Sequence, residues 1–221
     1  MSIIDTIIGT LAPYDCVSCG QEGRVLCSHC VMALPAAREQ CYKCCEPSSS
    51  GSTCSACSQA GSPDFVYAAT MYQGAAKDLI GWFKFRGAQS AAGIMARRMK
   101  IRPEQGMHTY IVPVPTANRR ARVRGFDQAK LLARELSRQN SMPYISCLGR
   151  IGETRQVGMS RGKRLAQLGD AFYVKNPSHV RNAAILLVDD VMTTGATLEA
   201  ATLALRKAGV AHVSAAVFAR A

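Results

Sequence analysis

No stretch of this sequence approaches the ~18 uninterrupted apolar residues that a membrane-spanning helix needs, so no transmembrane helix and no membrane insertion are expected. Residues 1–13 are mildly apolar through Ile3, Ile4, Ile7, Ile8 and Leu11, but they lack a basic leader and carry Asp5 where a signal peptide wants Lys or Arg. They read as a short amphipathic segment that packs on the rest of the chain, and a cytoplasmic location follows as an expectation. Proline and glycine are not in excess, with 9 and 18 among 221 residues, and 48% of the chain is hydrophobic. Wholesale disorder is thereby excluded and a buried core is allowed. No low-complexity tract is visible, and no repeat longer than a pair of cysteines.

Acidic side chains are scarce, 15 against 27 Lys and Arg, for a net charge of +12. The excess is uneven. Residues 1–60 hold three basic and five acidic side chains, whereas residues 61–221 hold 24 basic and ten acidic. The second part should attract an anionic substrate or a polyanion. The split predicts an N-terminal segment and Cys-rich module over residues 1–60, joined through a linker at 60–64 (AGSPD) to a larger domain over 61–221.

Only one of ten cysteines, Cys147, lies beyond residue 57. Eight of the rest form four CxxC pairs: Cys16 and Cys19, Cys27 and Cys30, Cys41 and Cys44, Cys54 and Cys57. A CxxC turn brings two thiolates to one tetrahedral centre, so four pairs make two structural sites, with Zn2+ the usual occupant. A segment this short has little core, and metal would supply its folding energy. Sequential sites (16/19/27/30 and 41/44/54/57) are favoured over a cross-braced pair; iron and disulfides are the competing readings. Cys45 could substitute in a shifted register, Cys147 reads as a buried thiol, and His29 reads as a surface histidine.

Beyond residue 64, strand and helix signals alternate. Strands are predicted at 65–71, 110–114, 185–188 and 210–218, and helices at 75–85, 127–139 and 198–207, the last stopped at Gly209. Leu132 and Leu136 share a helix face with Ala129. This order predicts an α/β fold, a parallel sheet with helices on both faces, whose ligands bind beyond the carboxyl ends of the strands.

The run from Ile185 to Thr197 (ILLVDDVMTTGAT) carries the most chemistry. A buried strand runs into two carboxylates, then a hydroxyl-rich turn, then a helix start. Backbone N–H groups of residues 193–197, at a helix N-terminus, favour an anion. Gly195 lets the backbone approach a phosphate closely. Thr193, Thr194 and Thr197 add hydroxyl donors. Asp189 and Asp190 would repel phosphate but suit sugar hydroxyls, so the turn reads as a cradle for ribose 5-phosphate. An Asp-rich strand end with a Thr cap is the bland alternative.

The thirteen-residue run closely resembles the signature by which type I phosphoribosyltransferases bind 5-phosphoribosyl 1-pyrophosphate (PRPP). That resemblance implies PRPP with Mg2+ as ligand. It places Val191, Met192, Thr193, Thr194, Gly195, Ala196 and Thr197 around the 5-phosphate and ribose, and Pro113, Val114 and Pro115 at a pyrophosphate turn joined by Arg124. It also implies catalytic roles for Asp189, Asp190, Arg155 and Lys163. Arg155 and Lys163 would lie in a hood over the site; an ordinary basic surface loop is the other reading of residues 149–169.

A more specific resemblance is to the ComF family of competence proteins. It rests on the early CxxC pairs, on Phe83-Lys-Phe-Arg-Gly87, on Val112-Pro-Val-Pro115 with Arg124-Gly-Phe-Asp-Gln128, and on Val188-Asp-Asp-Val191 with the Thr-Thr-Gly turn. Asp127 stands where many relatives are expected to have Asn, and both cap helices well. The resemblance implies a phosphoribosyltransferase acting on single-stranded DNA in natural transformation, with a competence helicase as a further partner. A non-catalytic adaptor for DNA or a helicase, regulated by PRPP or a nucleotide, and a nucleobase salvage enzyme are the alternatives. Two basic clusters, residues 119–124 and 97–102, could be solvated surface, a pyrophosphate grip or a nucleic-acid track. Trp82 and Phe85, interleaved with Lys84 and Arg86, could stack bases, whereas Phe83 is expected in the core.

Overall fold

The most apolar run of the chain becomes the interior of a sheet. In the computed structural model, which describes residues 14–85, 90–104, 106–116, 125–151 and 171–221, residues 185–188 lie within strand β5 (Ala184–Met192). It pairs in parallel with β6 (His212–Arg220) on one side and with β2 (Thr109–Pro113) on the other. Strand β1 (Val66–Met71) adds in parallel to the far side of β6. All four strands point the same way, so their carboxyl ends share one edge of the sheet.

The pleat sends successive side chains of β5 to opposite faces. Leu186 and Val188 pack with Phe83 of α2 (Gly74–Phe85), Met95 of α3 (Ala91–Arg98), and Leu132 and Leu136 of α4 (Gln128–Asn140). Ile185 and Leu187 pack with Leu198, Ala201 and Leu205 of α5 (Ala196–Lys207). The result is the three-layer α/β arrangement expected, with the sheet buried on both faces. Leu132, Leu136, Phe83, Leu187 and Leu205 are fully buried, and each contributes on the order of 1.5–3 kcal/mol of transfer free energy. Asp127 caps α4, its Oδ1 accepting from the Lys130 amide at 3.2 Å.

Several elements differ from the sequence expectation. The central strand continues through both carboxylates to Met192, because the ladder with β6 persists at Asp189–Val217, Val191–Ala219 and Met192–Arg220. Helix α5 starts two residues before the expected 198, with Gly195 as its N-cap at φ 82°. Helix α3 was not expected. Its buried face is Ala91, Ala92, Ile94, Met95 and Ala96, three of them alanines, on a helix of only eight residues. A two-stranded antiparallel ribbon, β3 (Leu148–Arg150) and β4 (Phe172–Val174), is too short to announce itself.

The segment at 60–64 is packed rather than a free linker. Ser62 and Pro63 are buried, and the Asp64 carboxylate accepts both a bidentate pair from Arg206 at 2.6 and 2.7 Å and the Val213 amide at 2.9 Å. The Cys-rich part carries the short helix α1 (Ser28–Met32). It joins the sheet through Thr70 Oγ1, which donates to the Pro35 carbonyl at 2.7 Å, and through Arg98, which donates to the Leu34 carbonyl at 3.0 Å. No helix among the described residues is long and apolar enough to cross a membrane.

Candidate functional site

The carboxyl edge of the sheet gathers most of the described residues that the sequence singled out. Residues 193–195 link β5 to α5, whose first turn begins with Ala196 and Thr197. Thr193, Thr194, Ala196 and Thr197 are exposed, whereas Gly195 is buried. A side chain at Gly195 is excluded twice. Its φ is left-handed, and a Cβ there would lie 2.8 Å from two carbons of the Tyr42 ring. The Ala196 amide lies 3.4 Å from Thr194 Oγ1, and the first helical bond runs from the Glu199 amide to the Gly195 carbonyl at 2.9 Å. The amides ahead of it are those a helix start leaves for an anion.

Behind the turn stand the two carboxylates. Asp190 is 7% exposed, and its Oδ2 lies 2.9 Å from Lys84 Nζ of α2. Asp189 Oδ1 accepts the Asp190 amide at 2.8 Å. Burial, and then the adjacent Asp190 carboxylate, push Asp189 up to about 8. The sequence did not single out Lys84 as a site residue. Its signals were its place in the Phe83-Lys-Phe-Arg-Gly87 run and its position between Trp82 and Phe85, neither of which points to Asp190.

The turn after β2 lies beside this pair: the Val114 amide donates to the Val188 carbonyl at 2.9 Å. Pro113 and Val114 are buried, Pro115 is partly exposed, and Thr116 Oγ1 donates to Asp127 Oδ1 at 3.2 Å. The sheet edge thus brings Pro113 and Val114 to the end of β5 at which Asp189 and Asp190 begin. Arg124, Arg155 and Lys163 lie outside the described residues, as does the basic run 119–124. An exposed, amide-rich turn beside paired carboxylates and a lysine can receive a phosphate on one side and hydroxyl groups on the other.

The cysteines form two groups of four, Cys16/Cys19/Cys27/Cys30 and Cys41/Cys44/Cys54/Cys57, with the sulfurs of each group within 4.8 Å of one another. The grouping is sequential, as expected. Thiolates about 2.3 Å from a central zinc sit about 3.8 Å apart along a tetrahedral edge. The Cys19–Cys27 and Cys44–Cys54 sulfurs are 3.8 and 3.7 Å apart, far beyond a disulfide bond. Burial opposes charge on Cys16, but amide donors, including that of Cys27 at 3.4 Å, bring it down to about 6. The neighbouring Cys54 thiol, with burial, pushes Cys57 up to about 12. Four soft donors competing for charge are what a central cation resolves, so both groups could hold zinc. Cys45 stands outside the second group and accepts from Arg220 at 3.1 Å. His29 is exposed, and Cys147 is a buried thiol, raised to about 11 by burial.

The second basic cluster is partly spent within the chain. Arg98 holds the Leu34 carbonyl, and Arg102 donates to Ser50 and lies 3.7 Å from Glu39. Arg97 and Lys100 are exposed. Phe83 is fully buried, as expected. Trp82 and Phe85 instead line a groove of about 570 Å3 with Tyr72 and Lys77, beside Val17 of the first cysteine group.

Residues 122–221, which hold this edge of the sheet from β5 onward, match the family model described as the phosphoribosyl transferase domain. More particularly, the chain is similar to Competence protein ComFC of Bacillus subtilis, 32% identical over 149 residues, covering 65% of this chain and 59% of that protein. It is also similar to Competence protein F of Haemophilus influenzae, 35% identical over 147 residues, covering 61% of this chain and 63% of that protein. The resemblance to the ComF family drawn from the four sequence runs therefore holds, and the chain spans about three fifths of the length of these relatives. Among solved structures, a glutamine PRPP amidotransferase from B. subtilis, complexed with ADP and GMP, aligns with a TM-score of 0.40 at 17% identity, covering 58% of this chain and 25% of that chain.

Proposed function

We propose that this chain binds PRPP, carried with Mg2+, at the 193–197 turn and transfers its phosphoribosyl group to an acceptor in natural transformation, with single-stranded DNA in the cytosol as the target. The single observation that carries the reading is the delivery of Asp189 and Asp190, on a buried strand, into an exposed amide-rich turn. In this scheme the turn amides and the Thr193, Thr194 and Thr197 hydroxyls hold the 5-phosphate. Asp189 and Asp190 accept from the ribose hydroxyls. Lys84, 2.9 Å from Asp190 Oδ2, aims that carboxylate. Pro113, Val114 and Pro115 shape the pyrophosphate side, and Arg124, Arg155 and Lys163 supply its positive charge. Mg2+ would screen the pyrophosphate, and the protein's share is positioning and charge neutralisation of the leaving group.

Zinc in both cysteine groups would be structural. The groove lined by Tyr72, Trp82 and Phe85, with Lys77 and two carboxylates, Asp15 and Asp78, beside them, offers aromatic faces of the kind on which unpaired bases stack for about 1–3 kcal/mol each.

The test is pyrophosphate release from PRPP, measured with and without single-stranded DNA in the wild type and in Asp190→Asn. Release that depends on DNA and on Asp190 supports the transferase. PRPP binding without release in any condition replaces it with the adaptor reading. Release with a free base but not with DNA points to salvage.

A further inference from the structure

The two residues between Cys41 and Cys44 reach the opposite end of the chain. Tyr42, 3% exposed, lays its ring against Gly195 so closely that a Cβ at Gly195 would come within 2.8 Å of it. Its hydroxyl donates to Glu199 Oε1 at 2.7 Å and lies 3.2 Å from Ser62 Oγ. Ser62 Oγ in turn donates to the carbonyl of Cys57 at 3.2 Å. Lys43 Nζ sits 3.1 Å from the same Glu199 oxygen. Arg220, whose backbone pairs with Met192 at the end of β5, donates to the Tyr42 carbonyl at 2.9 Å and to Cys45 Sγ at 3.1 Å.

These contacts act on the site from behind. Gly195 and Glu199 are the two ends of the first hydrogen bond of α5, so the Tyr42 ring fixes the turn where the free amides begin. Glu199 is an acid in the first turn of a helix whose start would receive a phosphate, and its charge opposes that ligand. Lys43 offsets it. Tyr42 and Lys43 are themselves held by the knuckle, because Cys41 and Cys44 flank them and Cys57 anchors Ser62. Order in the second cysteine group is thereby converted into order in the turn.

We propose that Tyr42 and Lys43 are positioning residues for the 193–197 turn, so that filling the Cys41/Cys44/Cys54/Cys57 group with a metal ion sets the turn's affinity for a phosphorylated sugar. The affinity part rests on the reading of that turn as a phosphate site; the mechanical part does not.

Both parts are tested on the full chain loaded with zinc. Tyr42→Ala, Tyr42→Phe and Lys43→Ala are compared with wild type by amide hydrogen exchange and by calorimetric titration of PRPP with Mg2+. In Tyr42→Ala, the Glu199 amide and those of the next turn, 200–202, exchange faster while those of α4 are unchanged, and PRPP binds about tenfold more weakly. Tyr42→Phe keeps the ring and stays within about threefold of wild type. Lys43→Ala, a surface change, keeps the wild-type melting temperature and binds about threefold more weakly at low salt, the difference closing as salt rises. If Tyr42→Ala does not fold, Lys43→Ala and partial zinc removal carry the test. Wild-type exchange at 199–202 in Tyr42→Ala, or under zinc removal with α4 still protected, overturns the mechanical part. Wild-type affinity in both Tyr42→Ala and Lys43→Ala overturns the positioning role. A wild type that binds no PRPP sinks the phosphate reading and the affinity part with it, while the exchange data still decide whether the knuckle holds the turn.

Discussion

Asp189 carries a carboxyl group that burial and the adjacent Asp190 both drive toward the protonated form, up to about 8. An aspartate in the unfolded chain titrates at about 3.9, so between these values the folded state holds a proton that the unfolded state has released. Stability from this residue therefore falls as pH rises through that window. Asp189→Asn, which keeps an oxygen for the Asp190 amide, should melt at a higher temperature than wild type at pH 8, with the gain vanishing toward pH 4. Thermal unfolding across this range checks it. Lys84 poses the opposite case. Lys84→Met leaves the Asp190 carboxylate, 7% exposed, without its cation, and should cost about 3 kcal/mol in denaturant unfolding. Adding Asp190→Asn to it should recover most of the loss. The two aspartates were legible in the sequence because a buried apolar run led straight into them. Lys84 was not, since only the packing of α2 on the sheet brings it to Asp190.

Secondary-structure elements were legible where burial is one-sided and the side chains are large. Helix α4 shows it, with Leu132 and Leu136 on the face of Ala129 and an aspartate at the cap. Helix α3 is only eight residues long and three of its five buried side chains are alanine, so no long apolar stripe marks it, and only its basic end drew notice. The three-residue strands β3 and β4 owe their existence to pairing with each other, which no local pattern reports. At the turn between β5 and α5, the need for glycine was read from phosphate chemistry, yet the structure adds a second cause in the Tyr42 ring. Gly195→Ala should therefore lose stability as well as ligand. Unfolding free energy should drop by about 1–3 kcal/mol from the strained φ alone, with the ring clash added to it. A loss no larger than that backbone contribution would mean that the ring gives way.

For the molecule as a whole, the charge split at residue 60 marked off a Cys-rich module from a larger domain, and buried contacts run across that boundary. Cys16, Cys27, Cys30 and Leu34 belong to the same buried cluster as Leu132 and Phe218, and Tyr42 belongs to that of Leu187 and Leu205. Charge distribution is a surface property and carries no information on which apolar faces meet. Chelation of metal should accordingly lower the midpoint of a single unfolding transition by several degrees, because a ligand bound only by the folded state stabilises all that unfolds with it. A small early transition followed by an unshifted main one would show that the parts unfold independently; scanning calorimetry with and without a chelator separates the two.

The central claim is that the carboxyl edge of the sheet is a ribose 5-phosphate cradle. Calorimetric titration of PRPP with Mg2+ into zinc-loaded wild type and into Asp190→Asn, each verified as folded by circular dichroism, tests it most directly. The account predicts saturable binding to wild type that is lost in Asp190→Asn. Folded wild-type protein that takes up no PRPP, or an Asp190→Asn variant that binds it equally well, would contradict the account.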